Sequence, residues 1–389
     1  MKQGIGFALF IAALFLAATT HAVEPVLIGV SLGPTGKYRG PSEMQRRAYE
    51  LWRDEVNARD GLLGRPIVLK FRDDGGDAAQ ATEIYRQFTG REPVDLVFGP
   101  YSSELTSAVA PVVDEAGYPM LAAGASADAI WQNGYSNVFG MWTPASRYVY
   151  GMLELAADSD LKTVAFLHAD DAFSENVAAG ARKWAPYLGL KAVADIRFAK
   201  GTSDLTGPIR QVRDAGAELL VVAGHFNEAV NARHALAGEG WMPRAFFATV
   251  GPALPAWLET MGSDADCAFA TSIWEPHEAV TYPRSRQFTE GFRQRYGGTD
   301  PSYHAATAYA AGQILEAAVA RAQSLDRDLI RTALFELDTY SVIGRYGVDH
   351  TGMQVKRLEM IVQWQQGRKE IVWPGEIRSS GAIFGNDCR

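Results

Sequence analysis

Two hydrophobic patterns alternate along this chain, and the alternation occurs twice. Short continuous apolar runs suit strands buried on both faces. Longer segments whose apolar residues recur every three or four positions suit helices. The first run is Val26-Leu-Ile-Gly-Val-Ser-Leu-Gly33. It leads to 41–59, where Met44, Ala48, Leu51, Trp52 and Val56 form one helical stripe and Gly61 supplies a stop. The same reading predicts strands over 67–71, 94–98 and 118–122, and helices over 78–88 and 104–115. The pattern then restarts. Strands are predicted over 163–167, 192–198, 219–223, 245–249 and 268–273, with helices between them such as 172–187 and 204–215. Helices over 285–296 and 303–322 follow, the second with Ala305, Tyr309, Gly312, Leu315 and Val319 on one stripe. Residues 356–364 and 370–373 read as a hairpin joined by 365–369. The prediction is an α/β protein of two similar units, each a parallel sheet covered by helices.

Helices beyond position 280 imply a chain that passes between the units more than once. Trp142-Thr-Pro144, Trp274-Glu-Pro276 and 344–352 are candidate crossings, because each carries the Pro or Gly that suits a hinge. Two sequential domains fit the periodicity equally well.

The N-terminus changes the picture. Lys2 precedes the apolar run 5–18, and Thr20-His21-Ala22 is a small-x-small site, so 1–22 reads as a signal peptide cut after Ala22. The run is 14 residues, short of the roughly 20 that span a membrane. No Cys follows it to take a lipid, so an exported chain without direct membrane anchoring is expected. The mature chain has 389 − 22 = 367 residues, room for two domains. Its formal charge is −8 with the leader and −9 once Lys2 leaves, and no basic cluster exists. Nucleic-acid binding and attraction to anionic lipid are thereby disfavoured. Export permits a disulfide between the two cysteines, Cys267 and Cys388; two inert thiols are the alternative.

Catalytic and cofactor signatures are missing. Gly33-Pro-Thr-Gly-Lys-Tyr38 has neither dinucleotide-loop nor phosphate-loop spacing. The seven His show no metal pattern, and no Gly-x-Ser-x-Gly elbow occurs. No cofactor, no metal and no enzymatic activity are expected. Two segments stand out at predicted strand ends, where open α/β sheets bind ligands. In Gly99-Pro-Tyr-Ser-Ser-Glu104, Ser102 or Ser103 caps a helix whose N-terminus suits a carboxylate; a plain N-cap is the simpler reading. Ala122-Ala-Gly-Ala-Ser-Ala-Asp128 offers small residues and the Ser126 hydroxyl. Together they predict a shared anion pocket.

With these segments in view, the chain resembles the type I periplasmic binding proteins, in particular the branched-chain amino-acid-binding group of bacterial ABC importers. The resemblance covers nearly all of the mature chain. It is carried by Gly33-Pro-Thr-Gly-Lys-Tyr38, Phe98-Gly-Pro-Tyr-Ser-Ser103 and 119–126, then by His168-Ala-Asp-Asp-Ala-Phe-Ser174, Gly224-His-Phe-Asn-Glu228 and Trp364-Gln-Gln-Gly-Arg368. It implies two Rossmann-like lobes joined by three hinge crossings and closing on a ligand: 26–142 with 277–344, and 143–276 with 345–374, leaving 375–389 as a tail. It implies ligand contacts at Tyr38, Tyr101, Ser103, Gly124, Ala125 and Ser126 on the first lobe, and at Phe173 and His225 on the second. It also implies a periplasmic location, a membrane permease as partner, a small-molecule ligand and a protein acting as a monomer. One departure stands out. The acid that pairs with a ligand ammonium in the resembled family falls near Val250, which cannot accept that charge. Either Asp171, Glu228 or Glu275 substitutes, or the ligand is an aromatic or other organic acid or amide without an α-amine. A ligand-sensing receptor subunit would use the same fold.

Overall fold

The computed structural model describes residues 23–385. The leader 1–22 and Cys388 lie outside them. Cys267 is disulfide-bonded, and the chain contains one other cysteine, Cys388.

The first unit is built from β1 (Val26–Leu32), α1 (Arg39–Asn57), β2 (Ile67–Asp73), α2 (Ala78–Arg86), β3 (Leu96–Phe98), α3 (Ser103–Glu115), β4 (Met120–Ala122) and β5 (Val138–Gly140). Its sheet runs β2-β1-β3-β4-β5 with every pairing parallel. Helices cover it, so β1, β3, β4 and β5 are almost entirely buried and carry apolar residues on both faces. The three-residue β5 escaped the sequence reading.

The second unit contains α4 (Tyr150–Asp158), β6 (Thr163–Ala169), α5 (Ala172–Tyr187), β7 (Lys191–Phe198), α6 (Thr206–Asp214), β8 (Leu219–Ala223), α7 (Phe226–Gly238), β9 (Ala245–Ala248), α8 (Ala256–Met261) and β10 (Ala268–Ser272). Its strands sort their side chains by the period of two. Val164, Phe166, Leu219, Val221 and Phe247 enter a core continuous with the first unit, while Ala165, Leu167, Leu220, Val222 and Phe246 enter a separate core on the opposite face.

The chain then returns to the first unit as α9 (Ser285–Arg295), α10 (Tyr303–Ala322) and α11 (Arg327–Glu336). α10 packs on α1 so closely that a Cβ at Gly312 would lie 2.3 Å from the Trp52 ring. Trp52 also donates its indole N–H to Glu316 at 2.8 Å. A short antiparallel pair follows, β11 (Thr339–Ser341) and β12 (Gly344–Tyr346), and then the predicted hairpin, β13 (Met360–Gln365) and β14 (Arg368–Trp373). β13 joins the second sheet antiparallel to β10, giving the order β14-β13-β10-β9-β8-β6-β7. The second sheet is therefore mixed, a correction to the expectation of a purely parallel one. A strand returning from a hairpin crossing can pair antiparallel without a covering helix.

Three segments connect the units. The first and second carry Trp142-Thr-Pro144 and Trp274-Glu-Pro276. At Gly352 the chain still rests on the first sheet, since its carbonyl accepts from Gly140 N at 2.8 Å, and the third passage follows over 353–359. The buried Arg357 ties that passage to the first one by donating from Nη2 to Met141 O at 2.7 Å.

Candidate functional site

The site begins with two loops at the C-terminal edge of the first sheet. β3 and β4 are hydrogen-bonded neighbours, so the segments after them, 99–102 and 123–127, emerge side by side. Ser102 occupies the N-cap of α3 but its hydroxyl makes no cap bond. Ser103 Oγ instead accepts from the backbone N–H groups of Ser126 at 3.2 Å and Ala127 at 3.1 Å. Its own proton is left to donate elsewhere. A Cβ at Gly124 would sit 2.9 Å from Tyr101 Cα and 3.0 Å from Pro100 O, so only glycine lets the loops approach this closely. Gln45 and Thr307 both donate to Ala123 O, and Ser126 O accepts from Ala145 N in the first crossing. The structure thus brings Ser103, Gly124, Ala125 and Ser126 into one buried cluster.

The facing wall comes from the second unit. Phe173, His225, Val250 and Glu275 follow the C-terminal ends of β6, β8, β9 and β10, which are adjacent parallel strands. Between the walls runs a line of ring contacts. Tyr148 meets Phe173 at 5.3 Å, Phe173 meets His225 at 5.6 Å, His225 meets Tyr38 at 5.9 Å and Tyr38 meets Tyr101 at 5.3 Å. Tyr101 touches His304 at 5.1 Å and Trp142 at 6.2 Å, and Trp142 touches Tyr303 at 5.6 Å. Edge-on contacts at these separations are favourable beyond burial alone. Tyr38, Tyr101, Phe173 and His225 were anticipated from sequence; Trp142, Tyr148, Tyr303 and His304 were not. Trp142 lay inside a recognised crossing, and Tyr303-His304 opens an otherwise Ala-rich helix. Tyr148 carried no local signal.

Polar chemistry in the cleft is neutral where hydroxyls and rings supply it. Burial lowers the His304 pKa to about 3, helped by His225. Burial also lowers that of His225, against the opposing pull of Asp171. Neither imidazole is a cation at neutral pH. Ser102 Oγ, Ser126 Oγ, Trp142 Nε1 and the Tyr148 hydroxyl are buried without a hydrogen bond of good geometry, although Ser126 interacts with the Tyr148 hydroxyl and Ser102 with that of Tyr38, each opposing the rise that burial gives the phenol's pKa. Such groups are costly unless something satisfies them, and four of them occur among the first-unit loops, the first crossing and the aromatic rings beside it. Among the described residues no group of three or more His, Cys, Asp or Glu could hold a metal ion.

Two of the three acids singled out from sequence are occupied. Asp171 Oδ1 caps α5, accepting from the N–H groups of Phe173 and Ser174, and Oδ2 accepts from Ser174 Oγ. Glu228 accepts from His225 N through Oε2 and from Gly201 N through Oε1. Glu275 Oε2 pairs with Lys369 Nζ at 2.8 Å, while Oε1 is buried and unpartnered.

A latch spans the mouth. Lys200, just beyond β7, reaches Glu104 at 3.1 Å and the Tyr38 hydroxyl at 3.3 Å; Lys37 holds Glu104 from its own side. Burial alone would raise the Glu104 pKa, but the bonds from Lys37, Lys200 and Tyr38 prevail and lower it from 4.5 to about 2. The pair is intact above 4.5 and is lost only as pH falls towards 2. Glu104 is 42% exposed, so solvent screening leaves about 0.5–1 kcal/mol. Lys200→Met is therefore expected to speed ligand release roughly two- to five-fold at neutral pH, read by stopped-flow fluorescence. Between pH 8 and 5 the latch itself should add no pH dependence to the wild-type rate.

Comparison with known proteins places this geometry in context. Residues 25–369 match the model of a family described as periplasmic binding protein. The Leu/Ile/Val-binding protein homolog 7 of Brucella melitensis is 25% identical over 382 residues, covering 93% of this chain and 96% of that protein. The branched-chain amino acid transporter substrate-binding protein LivJ from Streptococcus pneumoniae, solved with isoleucine, superposes with a TM-score of 0.81 at 20% identity, over 90% of this chain and all of the other. A solute-binding protein of an ABC transporter from R. palustris, solved with benzoate, superposes with a TM-score of 0.78 at 18% identity, over 93% and 98% of the two chains. Among the described residues no helix is long and apolar enough to cross a membrane.

Proposed function

This chain belongs to the periplasmic binding protein family, and on that premise we propose that it is the substrate-binding component of an ABC uptake system, capturing an apolar amino acid in the cleft between its two lobes. The observation that carries this is the set of buried donors without a hydrogen bond of good geometry, Ser102, Ser126, Trp142 and Tyr148, lying within a collar of aromatic rings. Hydroxyl, indole and backbone donors hold a carboxylate without a buried cation, and the collar covers an apolar side chain. The periplasm is the expected location, and a membrane permease receives the ligand from the closed form. No step of this cycle requires catalysis by the chain.

Calorimetric titration with leucine, isoleucine, valine and phenylalanine tests the reading. Saturable binding of one ligand per chain is expected. Ser126→Ala should weaken it by about 1–3 kcal/mol, the cost of a lost hydrogen bond to a charged group. Stability without ligand should fall less than in Ser103→Ala, because the one protein group that interacts with that hydroxyl is the Tyr148 hydroxyl and no backbone amide depends on it.

A second reading has one observation behind it. Val250 is buried and apolar where the resembled family carries an acid, and the R. palustris neighbour holds benzoate. Binding of benzoate or a short fatty acid, with none of any amino acid, would establish that reading in place of the first.

A further inference from the structure

Among the acids of the cleft wall, one is incompletely used. Asp171 and Glu228 spend their carboxylate oxygens on helix caps and loop amides. Glu275 is 5% exposed and satisfies a single oxygen. Its partner Lys369 also donates to Ala253 O at 2.6 Å. The ammonium is thus fixed between the turn after β9 and Glu275 Oε2, leaving Oε1 unserved. A buried carboxylate oxygen without a donor is expensive.

Its position gives that oxygen a use. Glu275 follows β10 at the same strand edge that carries Val250, His225 and Phe173, the edge where open α/β sheets receive ligands. Tyr303, a member of the aromatic collar through Trp142, feels the fields of Tyr101, Tyr148 and Glu275 in addition to its own burial. Glu275 therefore belongs to the same strand-end edge as Phe173 and His225, two of the collar's rings.

We propose that Glu275 Oε1 accepts a hydrogen bond from the cationic amino group of the ligand, so that this chain selects a zwitterionic amino acid over the same skeleton without its amine. The inference rests on the amino-acid reading above and deepens it. Charge accounting favours it. Glu275 and Lys369 cancel, and a zwitterion adds no net charge, with its ammonium at the free oxygen and its carboxylate at the hydroxyls. A plain carboxylate adds a net negative charge and leaves Oε1 without a donor. The residue also supplies what Val250 cannot.

The test pairs each amino acid with its deaminated counterpart, beginning with leucine and 4-methylpentanoate, in calorimetry with wild type, Glu275→Gln and Glu275→Asp. Wild type should prefer leucine. Glu275→Gln should lose at least tenfold in leucine affinity and change 4-methylpentanoate less than twofold, while Glu275→Asp retains part of the preference. Thermal midpoints of the unliganded variants report folding separately. An unchanged leucine affinity in Glu275→Gln, or equal losses for both ligands, overturns the assignment while leaving amino-acid capture intact. A wild type that binds the deaminated acids and no amino acid overturns both readings.

Discussion

Ser103→Ala is expected to destabilise the fold by about 2–4 kcal/mol and to weaken ligand binding along with it. The Ser103 hydroxyl is the acceptor for two buried backbone donors, Ser126 N and Ala127 N. Removing it leaves both without a partner, at a cost of about 1–3 kcal/mol each before the loop relaxes. The loop has little freedom to relax. Ala123 O is held by Gln45 and Thr307, Ser126 O by Ala145, and Gly124 is pressed against Tyr101. Urea unfolding of unliganded protein should show the loss, and calorimetry should show an affinity drop at least as large as that of Ser126→Ala. The contrast between the two serines is the sharper measurement. Equal stability losses would mean that Ser103 does not stitch the loops.

Gly180→Ala should be comparably damaging, about 2–4 kcal/mol. In most helix interiors this change is favourable by up to about 1 kcal/mol. Here a Cβ would lie 2.0 Å from Ser146 O and 2.6 Å from Ser146 C. Those are backbone atoms and cannot swing aside. The same carbonyl accepts the Trp184 indole N–H at 3.1 Å, and Ser146 binds Asp128 through both its amide and its hydroxyl. Separating α5 from this turn therefore disturbs the first crossing and, through Asp128, the loop that carries Ser126. Thermal unfolding reads the effect, and an unchanged midpoint would show that the close packing is absent in solution.

Much of the fold was legible from pattern alone. The helices 172–187 and 303–322 and the strand 219–223 appear with the predicted limits, because each is long or wholly apolar and bounded by turn residues. α11 was missed, since its buried face consists of Ile330, Ala333 and Leu334 alone. The predicted helix 78–88 is divided instead, with α2 passing into a π-helical turn over Gln87–Arg91; apolar period does not distinguish the two helical forms. The mixed second sheet was hidden for another reason. Strand direction depends on where a hairpin docks, and its own residues do not encode that.

The site divides in the same way. Its two first-unit loops could be located because small residues and serines after buried strands have few other uses. Which serine does what could not be read, since capping and stitching use the same side chain. The aromatic collar draws on Tyr38, Tyr101, Trp142, Tyr148, Phe173, His225, Tyr303 and His304, most of them far apart in sequence.

By itself, then, the amino-acid sequence determined two sheet-and-helix units and the strand ends that face a cleft, because burial of apolar runs is a local demand. Tertiary structure alone decided which hydroxyls lack well-formed hydrogen bonds, which rings meet and which of three acids keeps a free oxygen. Those properties depend on what long-range packing places beside each group, and a carboxylate already serving as a helix cap reads the same in sequence as one still waiting for a donor.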